Sequence, residues 1–504
     1  MISVLEYLER SAQAVPEKSA LIDPVGECTY EELYHTSRAI GYALTKSVRP
    51  REPVIIWMEK SIPAVCAFLG AVYAGCFYVY LSPDQPRSRA EQILRVAGAE
   101  VVITTREMLE QWEALGLPGT ALSYEDLAAA VPEEAALARV RANARDVDPL
   151  YCNFTSGSTG IPKGVVVSHR SVIDFMGCFP ELFHITGKDV LGNQAPFDFD
   201  VSVKDLYSTL KTGATLVLIP RKLFSVVTEL LDYLCLHRVT TLIWAVSALC
   251  LVAQFRGFSY RVPESVNKVL FSGEQMPAKF LRQWQDHLPR AEFVNLYGPT
   301  EITCNCTYYR VTHPVEEGET LPIGIPFPNE RVFLLDGRDQ EVTLPGVQGE
   351  LCVAGTALAL GYWNAPELTQ KAFLPNPLNP HYPELIYRTG DLAWYGADGQ
   401  LYFAGRKDFQ IKHMGHRIEL EEVEAAVNRS EGVERCCCVF DPERSRLTAF
   451  YVGKPDPRTL KKSLYEVLPA YMIPAAFRRM DLLPMTANGK LDRRLLLEIA
   501  RQKK

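Results

Sequence analysis

The chain has 504 residues, of which 47% are hydrophobic and 22% are charged, and its formal net charge at pH 7 is −7. This length exceeds what one hydrophobic core usually supports, so we expect two or three packed units. The composition is that of an ordinary globular protein. The negative charge gives no general attraction to nucleic acid, so we expect no nucleic-acid partner.

The first hundred residues contain neither a signal peptide nor a convincing membrane span. The N-terminus lacks the basic and apolar regions of a secretory signal. From Ser61 to Pro83 no residue is charged, and that length would suffice to cross a bilayer. Pro63 suits the first turn of a helix, Gly75 suits its C-cap, and "CFYVYL" favours a strand. We therefore predict a buried helix followed by a buried strand, without membrane insertion.

Strand-like and helix-like runs alternate through the first 400 residues. Strand-like runs at 52–58, 99–105, 213–220 and 267–273 each neighbour an amphipathic helix candidate, a pattern typical of α/β layers with largely parallel sheets. Residues 320–405 instead show short strands and many turns, which indicates a β-rich subdomain. Helix and strand resume afterwards, so we predict a large N-terminal domain over 1–407 and a small, mobile α+β domain over 408–504.

The thirteen cysteines are dispersed, except for the consecutive Cys436, Cys437 and Cys438. Three adjacent thiols are awkward in an oxidised protein, so we expect a reduced, cytoplasmic chain. No Cys-x-x-Cys motif or His/Cys cluster has zinc-ligand spacing, which argues against a structural metal.

The segment "TSGSTGIPKG" (155–164) concentrates glycines, hydroxyls and one lysine between two apolar runs. Glycine allows close backbone approach, and successive N–H groups with Ser, Thr and Lys donors suit a phosphate. A polar surface turn is the plain alternative. The segment is not a Walker A motif, because Gly164 and Val165 follow Lys163. We favour a phosphate loop in a strand–loop–strand hairpin.

Four further segments follow in order: "NLYGPTE" (295–301), "YRTGDLA" (387–393), "GRKDFQIKHMGHRIELEEVE" (405–424) and "TANGKLDR" (486–493). Together with the phosphate loop and "APFDFDVSVKDLY" (195–207), they resemble the motifs of adenylate-forming enzymes. More narrowly, they resemble amino-acid adenylation domains of nonribosomal peptide synthetases and D-alanine–D-alanyl carrier protein ligases. The resemblance covers essentially the whole chain, and five motifs in order are highly specific.

The resemblance implies attack of a substrate carboxylate on the α-phosphorus of ATP with Mg²⁺, so cations and N–H donors must offset the repulsion of two anions. It implies catalytic roles for Lys490, which bridges carboxylate and phosphate, and for Thr300 and Glu301, which face the α-phosphate and the metal. Asp391 would accept the ribose hydroxyls. The ATP-binding residues implied are Thr155, Ser156, Gly157, Ser158, Thr159, Gly160, Lys163, Asn295 near the adenine amine, Tyr297 against adenine, Gly298, Asp391 and Arg406.

The C-terminal motif implies a second half-reaction. Asp408 resembles the hinge about which the small domain turns between an adenylating and a thiol-transferring pose, although a salt-bridged surface aspartate is a live alternative. Gly415 would line the tunnel through which a phosphopantetheine thiolate reaches the adenylate, since glycine permits close backbone approach.

Asp200 matches the aspartate that pairs with the α-ammonium of amino-acid substrates, an expectation that competes with a helix N-cap role. The pocket residues implied by the same resemblance are Asp200, Val201, Lys204, Ile243, Leu270, Ser272, Leu296, Cys304 and Asn305.

Leu270, Ser272 and Leu296 predict a modest pocket with one hydroxyl, suited to a small side chain. D-Alanine and L-serine are almost equally favoured as the substrate. Glycine, L-alanine and cysteine are less favoured. Lys204 either calls for an acidic side chain, pairs with Asp205, or points to solvent.

The chain ends fourteen residues after Lys490 and contains no Gly-Gly-x-Ser carrier motif. We therefore expect a free-standing ligase that loads a separate phosphopantetheinylated carrier protein. An acyl-CoA ligase for a small acid and a non-catalytic nucleotide-binding scaffold are the alternatives. Asp200 argues against the first, and Lys490, Asp391 and Glu301 argue against the second.

Overall fold

The computed structural model describes residues 1–157, 161–485 and 491–502. Helices and strands alternate along most of the chain, which confirms the predicted α/β class. The α-helices are α1 (Leu5–Ala14), α2 (Tyr30–Leu44), α3 (Ile62–Tyr73), α4 (Arg87–Ala97), α5 (Arg106–Leu115), α6 (Tyr124–Ala128), α7 (Glu134–Asn143), α8 (His169–Leu182), α9 (Val201–Thr212), α10 (Val227–Leu236), α11 (Val246–Gln254), α12 (Gly257–Tyr260), α13 (Ala278–His287), α14 (Pro366–Ala372), α15 (Leu420–Asn428), α16 (Pro457–Leu464) and α17 (Arg493–Arg501).

The strands form sheets of nine, seven, five, three and two members in the described residues. They are β1 (Ser19–Ile22), β2 (Glu27–Thr29), β3 (Pro53–Ile56), β4 (Phe77–Tyr80), β5 (Val101–Thr104), β6 (Thr120–Ser123), β7 (Pro149–Thr155), β8 (Lys163–Ser168), β9 (Val190–Asn193), β10 (Thr215–Leu218), β11 (Thr241–Ala245), β12 (Lys268–Ser272), β13 (Glu292–Tyr297), β14 (Thr307–Val311), β15 (Ile325–Pro326), β16 (Glu330–Leu335), β17 (Gln348–Gly355), β18 (Gly361–Tyr362), β19 (Phe373–Pro375), β20 (Leu385–Tyr395), β21 (Leu401–Arg406), β22 (Gln410–His413), β23 (His416–Glu419), β24 (Val433–Asp441), β25 (Arg446–Gly453) and β26 (Ala476–Arg479).

The chain divides into a large and a small compact unit. The large unit comprises Met1–Pro83, Ala97–Asn153 and Val165–Lys407. The small unit comprises Asp84–Val96, Phe154–Gly164 and Asp408–Lys504, as far as these ranges are described.

The nine-stranded sheet of the large unit has the order β15-β14-β13-β12-β11-β9-β10-β1-β2. From β13 to β1 all neighbours are parallel, while β14, β15 and β2 are antiparallel edges. Parallel strands are normally covered on both faces, which explains why β10 is buried along its whole length and β12 is buried from Val269 to Ser272. The carboxyl ends of these strands meet at one edge, where ligands bind in open α/β sheets.

The charge-free segment forms α3 and β4, as predicted. Every residue of α3 from Ala64 to Tyr73 is buried, Pro63 occupies its first turn, and Gly75 follows it with φ +77°. A Cβ at Gly70 would lie 2.3 Å from Ile40 Cγ2, so glycine is what lets α2 approach α3. Within the described ranges, no helix is long and apolar enough to cross a bilayer.

The predicted β-rich subdomain is the antiparallel sheet β16-β17-β20-β19, in which β21 also pairs with β20. It belongs to the large unit and carries two of the predicted ATP-binding residues on adjacent strands.

The small unit contains the hairpin β22–β23 and the sheet β24-β25-β26. Alternation along β24 places Cys436 and Cys438 in one apolar core with α15, and Cys437 in another core with Leu496 of α17. All thirteen cysteines are free thiols.

Candidate active site

Two predicted ATP-binding residues lie opposite each other on the pair β20–β21. Asp391 and Arg406 are register partners, and the Arg406 guanidinium donates to one oxygen of the Asp391 carboxylate. Tyr297, at the end of β13, donates its hydroxyl to the other oxygen. Burial, together with the Asp391 charge, raises the pKa of Tyr297 well above its usual range. The large unit thus assembles a buried carboxylate with two donors from three separated motifs.

Two more residues of the "NLYGPTE" motif are fixed by backbone contacts. The Asn295 side-chain amide donates 2.7 Å to the carbonyl oxygen of Pro322, which orients the carboxamide. A Cβ at Gly298 would lie 2.5 Å from Asn305 Cα, closer than any side chain permits. Glycine at this position therefore joins the motif to the loop that carries Asn305.

Glu301 is completely buried in the 3₁₀ turn Thr300–Ile302. The Tyr362 hydroxyl donates 2.7 Å to its carboxylate, and the Ala359 N–H donates 2.9 Å to its backbone carbonyl. A single carboxylate used together with phosphate oxygens is a usual way to hold Mg²⁺, so this donor fits the predicted metal. Tyr362 is a site residue that the sequence analysis missed, since no motif around it marks the contact.

The predicted side-chain pocket follows three neighbouring parallel strands. Ile243 of β11 pairs with Leu270 of β12, and Leu270 pairs with Val294 of β13. Ser272 and Leu296 each lie two residues further along their strands. Partners in a parallel pair, and residues two apart, share a face of the sheet. The structure therefore brings together Ile243, Leu270, Ser272 and Leu296, all of them buried.

Helix α9 and the loop after the 3₁₀ turn close this region. Asp200 occupies the N-cap position of the helix with helical φ and ψ angles, but its side chain makes no capping hydrogen bond to the helix. The half-buried Val201 begins the helix. The Cys304 thiol donates 3.1 Å to the carbonyl oxygen of Asp200. Thr303 and Cys304 have φ of 53° and 76°, a strained conformation of the kind found at functional sites.

Lys204 has an environment that decides between the three predicted possibilities. It is 0% exposed, so it does not point to solvent. Its ammonium donates 2.6 Å to Asn305 Oδ1. The neighbouring Asp205 carboxylate instead accepts a hydrogen bond of 2.7 Å from Asn193 Nδ2. Burial lowers the pKa of Lys204, although Cys304, Asp200 and Asp205 oppose that shift.

A second lysine, the half-buried Lys60, lies beside this cluster, and no local pattern in the sequence marks it. The Lys60 ammonium donates to Asn193 Oδ1 at 3.1 Å and to the carbonyl oxygens of Asn193 and Gln194. Burial lowers the pKa of Lys60 to about 7, against the attraction of Asp205. Burial also raises the pKa of Asp205 to about 7. These groups form a largely buried polar network around the first turns of α9.

The described part of the phosphate loop belongs to the small unit and is held by hydrogen bonds within it. The Ser156 hydroxyl donates 2.8 Å to the carbonyl oxygen of Arg417 and accepts 3.1 Å from the Glu419 N–H. Lys163 Nζ lies 3.8 Å from the Glu419 carboxylate. As predicted, the loop connects neighbouring strands, β7 and β8.

The Gly157 N–H donates 3.2 Å to Glu422 Oε2, and the same carboxylate forms a buried ion pair of 2.6 Å with Arg89. The Thr155 hydroxyl is buried without a hydrogen-bond partner in the described residues. The backbone N–H of Gly157 in the loop therefore already donates to a carboxylate of the protein, that of Glu422.

The residues predicted to form the hinge and the tunnel lie at the start of the small unit. Asp408 accepts a hydrogen bond of 3.2 Å from the Gln410 N–H. Met414 and Gly415 have φ of 54° and 80° between the register partners His413 and His416, the geometry of a two-residue hairpin turn. The motion and the tunnel stay predictions. Lys490 and the loop residues Ser158, Thr159 and Gly160 lie outside the described residues.

Comparison with known proteins gives matches along most of the chain. The AMP-binding enzyme family matches residues 8–363, and the AMP-binding enzyme C-terminal domain matches residues 422–490. The sequence is 34% identical to bacitracin synthase 1 of Bacillus licheniformis over 98% of this chain, but it spans only 9% of that protein. It is 33% identical to zwittermicin A synthase ZmaJ of Bacillus cereus, covering 98% of this chain and 94% of that protein.

The fold is similar to that of PA1221, a nonribosomal peptide synthetase protein with adenylation and PCP domains, solved with a vinylsulfonamide inhibitor. The TM-score is 0.84 at 25% identity, over 99% of this chain and 84% of that chain. The likeness includes a large N-terminal domain and a small C-terminal domain.

Proposed function

The chain belongs to the AMP-binding enzyme family, and on that premise we propose that it activates an amino acid with ATP and transfers it to a carrier protein. The first product is an aminoacyl adenylate and the second is a thioester on a phosphopantetheine arm. The amino acid is small, with D-alanine and L-serine the substrates that the sequence favours.

The observation that supports the proposal is that the predicted pocket residues lie together on one face of neighbouring strands of the nine-stranded sheet. The strand register aligns Ile243 and Leu270, and contacts join Cys304 to Asp200 and Asn305 to Lys204. Motifs distant in sequence therefore meet where open α/β sheets bind ligands. A carboxylate beside a small apolar pocket suits an α-ammonium, because a buried charge needs a partner.

In the first half-reaction, a carboxylate oxygen of the amino acid forms a bond to the α-phosphorus, and the bond to the β-phosphate oxygen breaks with release of pyrophosphate. Asp391, oriented by Tyr297 and Arg406, accepts the ribose hydroxyls. Glu301 would hold Mg²⁺, which when bound would offset the negative charge that develops on the phosphates. Lys490 supplies a further cation between the two anions.

In the second half-reaction, the thiolate of a phosphopantetheine arm attacks the carbonyl carbon of the adenylate, and AMP leaves. We propose a separate carrier protein as the thiol donor, in the cytoplasm. The similarity to PA1221, which has adenylation and PCP domains, supports a carrier as partner.

The proposal is tested by ATP–pyrophosphate exchange with purified protein and a panel of D-alanine, L-alanine, glycine, L-serine, L-cysteine and L-aspartate, with acetate as control. We expect exchange with amino acids and none with acetate. Thioester formation is then compared between a phosphopantetheinylated carrier and free CoA. Exchange with acetate alone, or thioester formation on CoA alone, would overturn the proposal, and no exchange with any acid would indicate a scaffold.

A further inference from the structure

Lys204 leaves part of its hydrogen-bonding capacity unused in the middle of the predicted pocket. An ammonium has three donors. Among the described residues, Lys204 donates only to Asn305 Oδ1, and the carboxylates of Asp200 and Asp205 act on it through their charge without a direct hydrogen bond. The side chain is 0% exposed. Burying an ammonium against a single neutral acceptor is unfavourable unless another anionic or polar group completes its coordination.

No neighbouring carboxylate accepts a hydrogen bond from that ammonium. Asp205 follows Lys204 directly, so it lies about 100° around the helix; the charges of Lys204 and Lys60 both act on it, but it accepts its hydrogen bond from Asn193. Asn305 is held in place by the close backbone contact at Gly298. An anionic group on a bound molecule would therefore complete the hydrogen bonding of Lys204.

The spacing between Asp200, just before α9, and Lys204, within it, indicates the shape of that molecule. Asp200 and Lys204 are four residues apart in helical conformation, so they lie on one helix face, separated by about 6 Å along the axis. Asp200 is the residue that the proposed function assigns to the substrate α-ammonium. A ligand with an ammonium at Asp200 and an anion one helical turn away is a short amino acid with a second carboxylate.

We propose that this pocket selects a small amino acid bearing a side-chain carboxylate, of which aspartate is the simplest, and that Lys204 is the specificity-determining residue. The inference rests on the proposed amino-acid adenylation. It places the acidic substrate ahead of D-alanine and L-serine, since an alanine methyl group offers the ammonium no acceptor and a serine hydroxyl offers it no charge.

The test compares kcat/KM in ATP–pyrophosphate exchange for aspartate, asparagine, D-alanine and L-serine, using both enantiomers of aspartate. Asparagine has the size of aspartate without its charge. We expect wild-type protein to favour aspartate over asparagine by on the order of 10²-fold, as for a buried charge pair that loses one member. In Lys204→Met, which keeps the length of the side chain, that preference should vanish while KM for ATP stays unchanged.

Lys211→Met is the matched control, because Lys211 lies on the same helix but donates to the carbonyl oxygen of Met176 outside the pocket. It should keep the wild-type preference. Wild-type exchange that is faster with D-alanine or L-serine than with aspartate would overturn the inference while leaving the proposed function intact. Absence of exchange with every amino acid would instead overturn the proposed function. If Lys204→Met does not fold, the wild-type comparison of aspartate with asparagine still decides the question.

Discussion

Replacing Tyr362 with Phe should weaken the use of Mg²⁺ without unfolding the protein. The Tyr362 hydroxyl donates 2.7 Å to the carboxylate of the buried Glu301, the residue proposed to hold the metal. Phenylalanine keeps the ring, which packs edge-on against Phe373, and removes only the donor. The change therefore isolates one hydrogen bond to one carboxylate.

A hydrogen bond to a charged group contributes about 1.5–3 kcal/mol, which corresponds to a factor of about 10 to 100 in an equilibrium constant. Because the bond orients Glu301 rather than contacting substrate, we expect the Mg²⁺ concentration for half-maximal exchange to rise by about 10-fold. The assay is ATP–pyrophosphate exchange at fixed ATP with Mg²⁺ varied. KM for the amino acid should not change.

Tyr30→Phe is the control, since Tyr30 is buried in the same unit and donates to the carbonyl oxygens of Thr209 and Ala214. That variant should lose thermal stability but keep the wild-type dependence on Mg²⁺. If Tyr362→Phe shows an unchanged Mg²⁺ requirement, or if both variants shift it equally, Glu301 is not the metal-holding carboxylate.

Three further changes test other parts of the account. Asp391→Asn should raise KM for ATP by about 10-fold through the loss of a charged acceptor and leave KM for the amino acid unchanged; equal effects on both constants would contradict the nucleotide role. Lys490→Ala should abolish exchange while the melting temperature stays at the wild-type value, and an active variant would remove Lys490 from the mechanism. In the folded chain, burial raises the pKa of Asp205 from 3.8 to about 7. Because this pKa is higher in the folded than in the unfolded chain, the free energy of unfolding is not reduced by Asp205 below pH ~4. It falls by up to about 4 kcal/mol as the pH rises towards ~7. The Asn side chain of Asp205→Asn does not titrate. In urea unfolding, the free energy of unfolding of this variant relative to wild type should therefore increase from pH 4 to pH 7. If the difference between the two free energies does not change with pH, Asp205 is not buried as described.

The pattern of the sequence predicted the layers of this fold because apolar periodicity is a local property. The runs at 213–220 and 267–273 form buried parallel strands, and the charge-free segment forms α3 and β4. Glycine and proline marked the ends of α3, where the backbone requires them. These signals depend on neighbouring residues and need no knowledge of distant contacts.

The details of the site were less accessible because they depend on contacts between distant residues. Tyr362 meets Glu301 across 61 positions, and Lys60 meets Asn193 across 133. No local pattern distinguishes these side chains from other tyrosines and lysines. The environment of Lys204 was likewise undecided until the structure showed Asn305 beside it.

The most direct test of amino-acid activation removes the amine from the substrate. Exchange by wild-type protein should be measured with three pairs of acids: aspartate and succinate, D-alanine and propionate, L-serine and 3-hydroxypropionate. If Asp200 binds the α-ammonium, the better of the amino acids should exceed its deaminated partner by about 10²-fold or more, and Asp200→Asn should reduce that ratio sharply. Equal exchange with an amino acid and its deaminated partner would contradict the account, because the site would then recognise a carboxylic acid and not an amino acid.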